Sequence, residues 1–127
     1  MNPITVEWVQ KAEGDLATAG REIRARKFPN FDASCFHSQQ TAEKYLKAFL
    51  HEHGSPIPYT HSLIELLALC LNFDPSFNLL RPDLVRLDGY AVRYRYPGHL
   101  ADRLEAKTAY RAAQFARQFI RDRLGLA

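Results

Sequence analysis

No apolar run approaches the roughly 20 residues that a membrane-spanning helix needs, so no membrane partner is expected. The opening stretch MNPITVEWVQ lacks the basic region, apolar core and small-residue cleavage site of an export signal, which makes the cytoplasm the expected location. Cysteine is scarce. Cys35 and Cys70 each sit inside an apolar helical pattern and read as small buried hydrophobes, not as a disulfide framework. His37, His51, His53 and His61 have no acidic or cysteine partner at a zinc-binding spacing, so no metal is expected. There is no glycine-rich phosphate loop and no Gly-x-Ser-x-Gly or Cys-His nucleophile pattern, and no cofactor is expected. Repeats, low-complexity tracts and linkers are also missing, which leaves residues 1–127 as one domain.

What is present is the composition of an ordinary water-exposed domain, 46% hydrophobic and 24% charged. Seventeen basic residues against fourteen acidic give a formal charge of +3, a mild bias toward a polyanionic partner.

The periodicity is helical almost throughout. One helix is expected from Thr5 to Arg26, capped by Thr5, with Val9, Ala12, Leu16, Ala19 and Ile23 as its apolar stripe. A second starts after Asn30 and stops at Gly54, with Cys35, Ala42, Leu46, Phe49 and Leu50 facing inward. A third, from Ser62 to Leu71, is apolar around most of its circumference and should be buried. NFDPSFNLLRPD reads as a loop with one irregular turn, and DLVRLDGYAV as a short helical stretch broken at Pro97-Gly98. The last helix should run from Ala101 to Leu124 on a stripe of Leu104, Thr108, Ala112, Phe115 and Phe119. Long helices joined by short turns predict an all-α, up-and-down antiparallel bundle of four to five helices.

Two features are not explained by amphipathicity. On the second helix Gln40, Glu43 and Lys47 share a narrow arc beside the apolar stripe, and Asp15 is placed similarly on the first. Either Glu43 and Lys47 form a favourable i,i+4 pair at the core boundary, or the row lines a groove or dimer interface. The second feature is YAVRYRYPGHLADR, residues 90–103, where arginines, tyrosines and a histidine surround one Pro-Gly pair before a helix start. Such a start favours anions. It reads either as a basic turn or as a phosphate-facing site.

WVQKAEGDLATA (8–19), FHSQQTAEKYLKAFL (36–50), HSLIELL (61–67) and RYP (95–97) stand in an order and spacing that resemble the HEPN family, the higher eukaryotes and prokaryotes nucleotide-binding domain. The resemblance covers about residues 5–123. It implies a helical bundle that forms a homodimer, a frequent partnership with a minimal nucleotidyltransferase in toxin–antitoxin systems, and a nucleotide or RNA ligand. Several branches are metal-independent ribonucleases. Their signature is an arginine followed a few residues later by a histidine, at the start of the last long helix, two copies meeting across the dimer.

Carried onto this chain, the family arginine is Arg95 and the histidine His99, with three residues between them, fewer than the usual gap. Counting from Arg93 gives five intervening residues, within the usual gap, although Arg93 is not in the RYP position. In the toxin branch a tyrosine tends to stand two places after the histidine; here that place is Ala101. Metal-free cleavage of RNA needs a proton taken from the 2′-hydroxyl and one given to the leaving 5′-oxygen, both within reach of histidine. A guanidinium suits the charge developing on phosphate. The resemblance thus implies Arg95, His99 and Arg93 as catalytic candidates, and Arg93, Arg95, Tyr94, Tyr96 and Arg103 as nucleotide or RNA ligands, with tyrosines stacking on unpaired bases. Three functions stay open: a binding module for nucleotide or RNA, a metal-independent RNase toxin, and a non-catalytic assembly partner of a nucleotidyltransferase.

Overall fold

The computed structural model describes residues 1–93 and 96–127, except for the side chain of Arg93. Its described residues form helices and no strand. Helix α1 (Pro3–Arg24) begins one turn earlier than the periodicity suggests. Asn2 is the cap, its Oδ1 accepting from the Ile4 N–H at 2.8 Å, and Pro3 supplies the preset φ of a first helical residue. Thr5, expected as the cap, lies inside the helix and is buried. Helix α2 (Phe31–Glu52) starts where expected, with Asn30 Oδ1 accepting from Ala33 N–H at 2.9 Å. It ends ahead of Gly54, whose φ of +70° is the left-handed geometry that a glycine adopts without penalty. Ser62 caps α3 (Leu63–Leu71) through the Glu65 N–H.

Within the stretch expected to be a loop with one irregular turn, residues 75–83 are helical, and the helix expected from Asp83 is found. Asp74 Oδ1 caps a 3-10 turn over Pro75–Leu80, which runs directly into α4 (Arg81–Leu87). Phe77, Leu80, Leu84 and Leu87 are all fully buried, so core burial overrides the turn signals of two prolines, an asparagine and an aspartate. Gly89, at φ +95°, separates α4 from the single turn of α5 (Tyr90–Arg93). Asp88 Oδ1, next to it, accepts from the Leu63 N–H at 3.0 Å and ties this corner to the start of α3.

Helix α6 (Arg103–Arg123) is capped by Asp102, which accepts from the Glu105 N–H at 2.8 Å. The apolar stripe read from its sequence is corrected. Ala106, Ala109, Ala112, Ala113 and Ala116 face the core together with Phe119 and Ile120, whereas Leu104 is 70% and Phe115 43% exposed. Alanines at the contact bring helix axes close, because interaxial distance follows side-chain size. Both rows have helical spacing, so periodicity alone could not choose between them.

The up-and-down bundle is present. Helix α2 is central, packed chiefly against α1 and α6 and also against α3. Antiparallel packing of α1 and α2 is fixed by Ser34 Oγ donating to the Ala19 carbonyl at 2.9 Å, deep in the seam. At the far end, Phe49, Phe77 and Phe119 join α2, the 3-10 turn and α6, with ring centroids 4.3 and 5.2 Å apart. Both cysteines are buried and unbridged, as expected, and burial pushes the Cys70 thiol up to about 12. No helix among the described residues is long and apolar enough to cross a membrane.

Candidate functional site

The chain enters α6 through Pro97, Gly98 (φ +98°) and His99. His99 Nε2 is sealed from solvent and stands 3.2 Å from Glu105 Oε2, without an aligned hydrogen bond among the described residues. Glu105 is one turn into α6, and its Oε2 also accepts a short hydrogen bond from the Tyr90 hydroxyl. The Tyr90 and His99 rings lie 6.3 Å apart, centroid to centroid. A cavity of about 400 Å³ opens beside this group, lined by Arg86, Tyr90, Asp102, Leu104, Glu105 and Thr108. The carboxylate can orient the imidazole and balance its charge, the role an acidic neighbour plays for a histidine that exchanges protons.

The other residues expected here divide. Tyr96 is exposed at the turn. Arg103, though exposed, is held against the fold: its Nη1 donates to the Ile23 carbonyl at 2.5 Å, and its guanidinium lies 5.0 Å from the centre of the Phe31 ring. It therefore joins α6 to the last turn of α1, where a cation suits the helix dipole, and its hydrogen bond is committed there. Tyr94, Arg95 and the Arg93 side chain lie outside the described residues.

The polar row on α2 forms an internal network. Glu43, 2% exposed, has Lys47 Nζ at 3.0 Å from one oxygen. Its other oxygen has His61 Nδ1 at 3.0 Å and the Gln39 and Gln40 amides at 3.3 Å. Gln39, fully buried, also donates to the His61 carbonyl, which fastens α2 to the start of α3. Lys47 lies 5.7 Å from the centre of the Trp8 ring, extending the network to α1. The expected i,i+4 pair of Glu43 and Lys47 is found, and the partners named lie within the chain.

Asp15 is also paired, to His37 Nδ1 at 2.7 Å and Lys44 Nζ at 2.5 Å. Burial alone would raise its carboxyl pKa, but hydrogen bonds and charge from His37 and Lys44 outweigh that and hold it below its ordinary value. A depressed folded-state pKa contributes stability that is present above the unfolded value, about 3.9, and lost as pH falls through the folded one. Asp15→Asn should therefore flatten the acid limb of stability as pH falls below about 4. Parallel thermal melts of wild type and variant would check this; equal slopes over that range would refute it. A third network joins Glu13 to Tyr45 at 2.5 Å and to Arg117 at 2.6 and 3.0 Å. Burial and the Glu13 carboxylate raise the Tyr45 hydroxyl to about 12, so it stays a proton donor.

The model of the HEPN domain matches residues 5–123. The chain belongs to the HEPN domain family. It is also similar to the crystal structure of TT1696 from Thermus thermophilus, at 28% identity and a TM-score of 0.76, covering 93% of this chain and 96% of that one. No curated protein matches the chain significantly. Within this HEPN domain, sequence reasoning missed Glu105 and Tyr90. Glu105 follows the cap Asp102 by three residues, the position of a capping-box acid, so its residue type there gives no signal of a contact with His99. Tyr90 was inside the quoted motif but nine residues from His99, a spacing that points to no contact until the turn folds back.

Proposed function

We propose that this HEPN domain binds nucleotide or RNA at the turn that precedes α6, acting as a homodimer and as the HEPN component of a two-gene system with a minimal nucleotidyltransferase. The observation that carries the reading is the His99–Glu105–Tyr90 group at the α6 entrance, beside an open cavity and adjoining in sequence the Arg93–Arg95 segment. Family membership supports the ligand class and the partner. Arg95 is the expected phosphate ligand, and Tyr96, exposed at the turn, a surface on which a base can stack.

Arg95→Ala should weaken binding of a short single-stranded RNA and make its salt dependence shallower by about 0.7 in log–log slope per lost phosphate contact. The check is a titration across salt concentrations, with light scattering to show that wild type and variant both stay at twice the chain mass of 14.6 kDa. Unchanged affinity and slope would reject Arg95 as a ligand. Metal-independent cleavage is the second reading, and the specific observation favouring it is the carboxylate beside His99.

A further inference from the structure

We propose a second RNA contact: the groove between α1 and the N-terminal half of α6 holds the phosphodiester backbone of a single strand. This rests on the reading of RNA as the ligand of the α6 entrance. The groove, about 290 Å³, is lined by Gly20, Arg24, Lys107, Tyr110, Arg111 and Gln114, with Ile23 at its base. Arg24, Lys107 and Arg111 are exposed, and none has an ion-pair partner among the described residues. No carboxylate lines the groove. The same seam is treated differently further along, where Arg117 is neutralised by Glu13.

Cations on a helix usually point into water and need no ligand. Here they converge from two helices on one concavity, and the concavity depends on a missing side chain. A Cβ added at Gly20 would lie 3.0 Å from both Tyr110 Oη and Arg24 Nη1, so any larger residue would occupy the floor. Three cations beside an aromatic ring are the ingredients of sequence-tolerant single-strand binding: charge tracks the backbone and the ring takes a base. Lys107 is one turn along α6 from Arg103, so the groove lies on the helix that begins at the proposed site.

The test compares wild type, the double variant Lys107→Ala with Arg111→Ala, and Arg95→Ala. The probes are a mononucleotide and single-stranded RNAs of about four and about sixteen nucleotides, spanning the usual site sizes of single-strand binders. The double variant should lose roughly tenfold in affinity for the longer RNA and about 1.4 in salt slope, two phosphate contacts' worth, while binding the short RNA normally. Exchanging the two cations (Lys107→Arg with Arg111→Lys) should restore affinity. A double variant that binds the longer RNA as wild type does would overturn the groove while leaving the α6 entrance standing. Loss with the double variant but none with Arg95→Ala would keep the groove and reject Arg95 as a ligand at the entrance. Equal loss for the mononucleotide would replace the RNA tract by a free-nucleotide site, and wild type that binds none of the probes overturns both. Because Lys107 and Arg111 are both exposed, the helical signal and melting temperature of the double variant should not change.

Discussion

Glu43→Ala should destabilise the protein by about 3–5 kcal/mol, the cost of stranding a buried charge when its partner is removed. For a chain of 127 residues that corresponds to a fall in Tm of roughly 10–20 °C. Lys47 is 8% exposed and its Nζ is 3.0 Å from the lost carboxylate; the Trp8 face alone is a weak substitute. Gln39, fully buried, would lose its contact with Glu43 and keep only those to Gln40 and the His61 carbonyl. The apolar pair Glu43→Leu with Lys47→Met should be far milder, because replacing both members of a buried ion pair removes the desolvation cost with the attraction. His61→Ala should also be mild, since that side chain is 54% exposed and Glu43 retains three other donors. Thermal melts of the four proteins give the ranking. A Glu43→Ala variant within about 1 kcal/mol of wild type would mean that the network carries no stability beyond a surface pair.

That network shows where the sequence was legible and where it stopped. The arc of Gln40, Glu43 and Lys47 could be placed beside the core stripe from a helical wheel, and the i,i+4 pair follows from spacing alone. Gln39 and His61 could not be foreseen: Gln39 is one residue off the arc, and His61 arrives from the start of another helix through a Pro-rich connection. Caps followed the same division. Asn30 and Ser62 announce their helices by residue type and position, whereas Asn2 was overlooked because Thr5 offers the same chemistry one turn later. The length of the 3-10 turn and the start of α4 at Arg81 were hidden for a different reason, although the rest of α4 lies in the stretch expected to be helical. The helical tendency of both elements is weak, and they exist because Phe77, Leu80, Leu84 and Leu87 complete a core supplied by α2, α3 and α6. Of the candidate site, the histidine and its helix start were legible, but the carboxylate facing it was not, since that contact depends on how the Pro97-Gly98 turn aims the ring.

His99→Ala should abolish any metal-independent RNA cleavage, a loss of about 10²–10⁴-fold if the imidazole is a general acid or base, with binding retained. The step would form a bond from the 2′-oxygen to phosphorus and break the bond to the 5′-oxygen, leaving a 2′,3′-cyclic phosphate and a 5′-hydroxyl. One proton leaves the 2′-hydroxyl and one reaches the leaving oxygen, and two copies of His99 across a dimer would divide those tasks. Nε2 is turned inward to Glu105, so Nδ1 is the nitrogen left to meet substrate. Glu105 would then be a positioning residue, and Glu105→Gln, which keeps shape and loses charge, should lower kcat with KM unchanged. The Tyr90 hydroxyl bound to the same oxygen restrains the carboxylate, so Tyr90→Phe should show a weaker version of that kcat effect. Cleavage is measured in chelator with wild type and the three variants, and binding is measured on the same RNA. If wild type binds without cutting, the catalytic reading falls and the binding reading stays. If His99→Ala cuts as well as wild type, the nuclease activity belongs to other groups. A Glu105→Gln variant that raises KM and leaves kcat alone would make the carboxylate a determinant of binding, not of imidazole orientation.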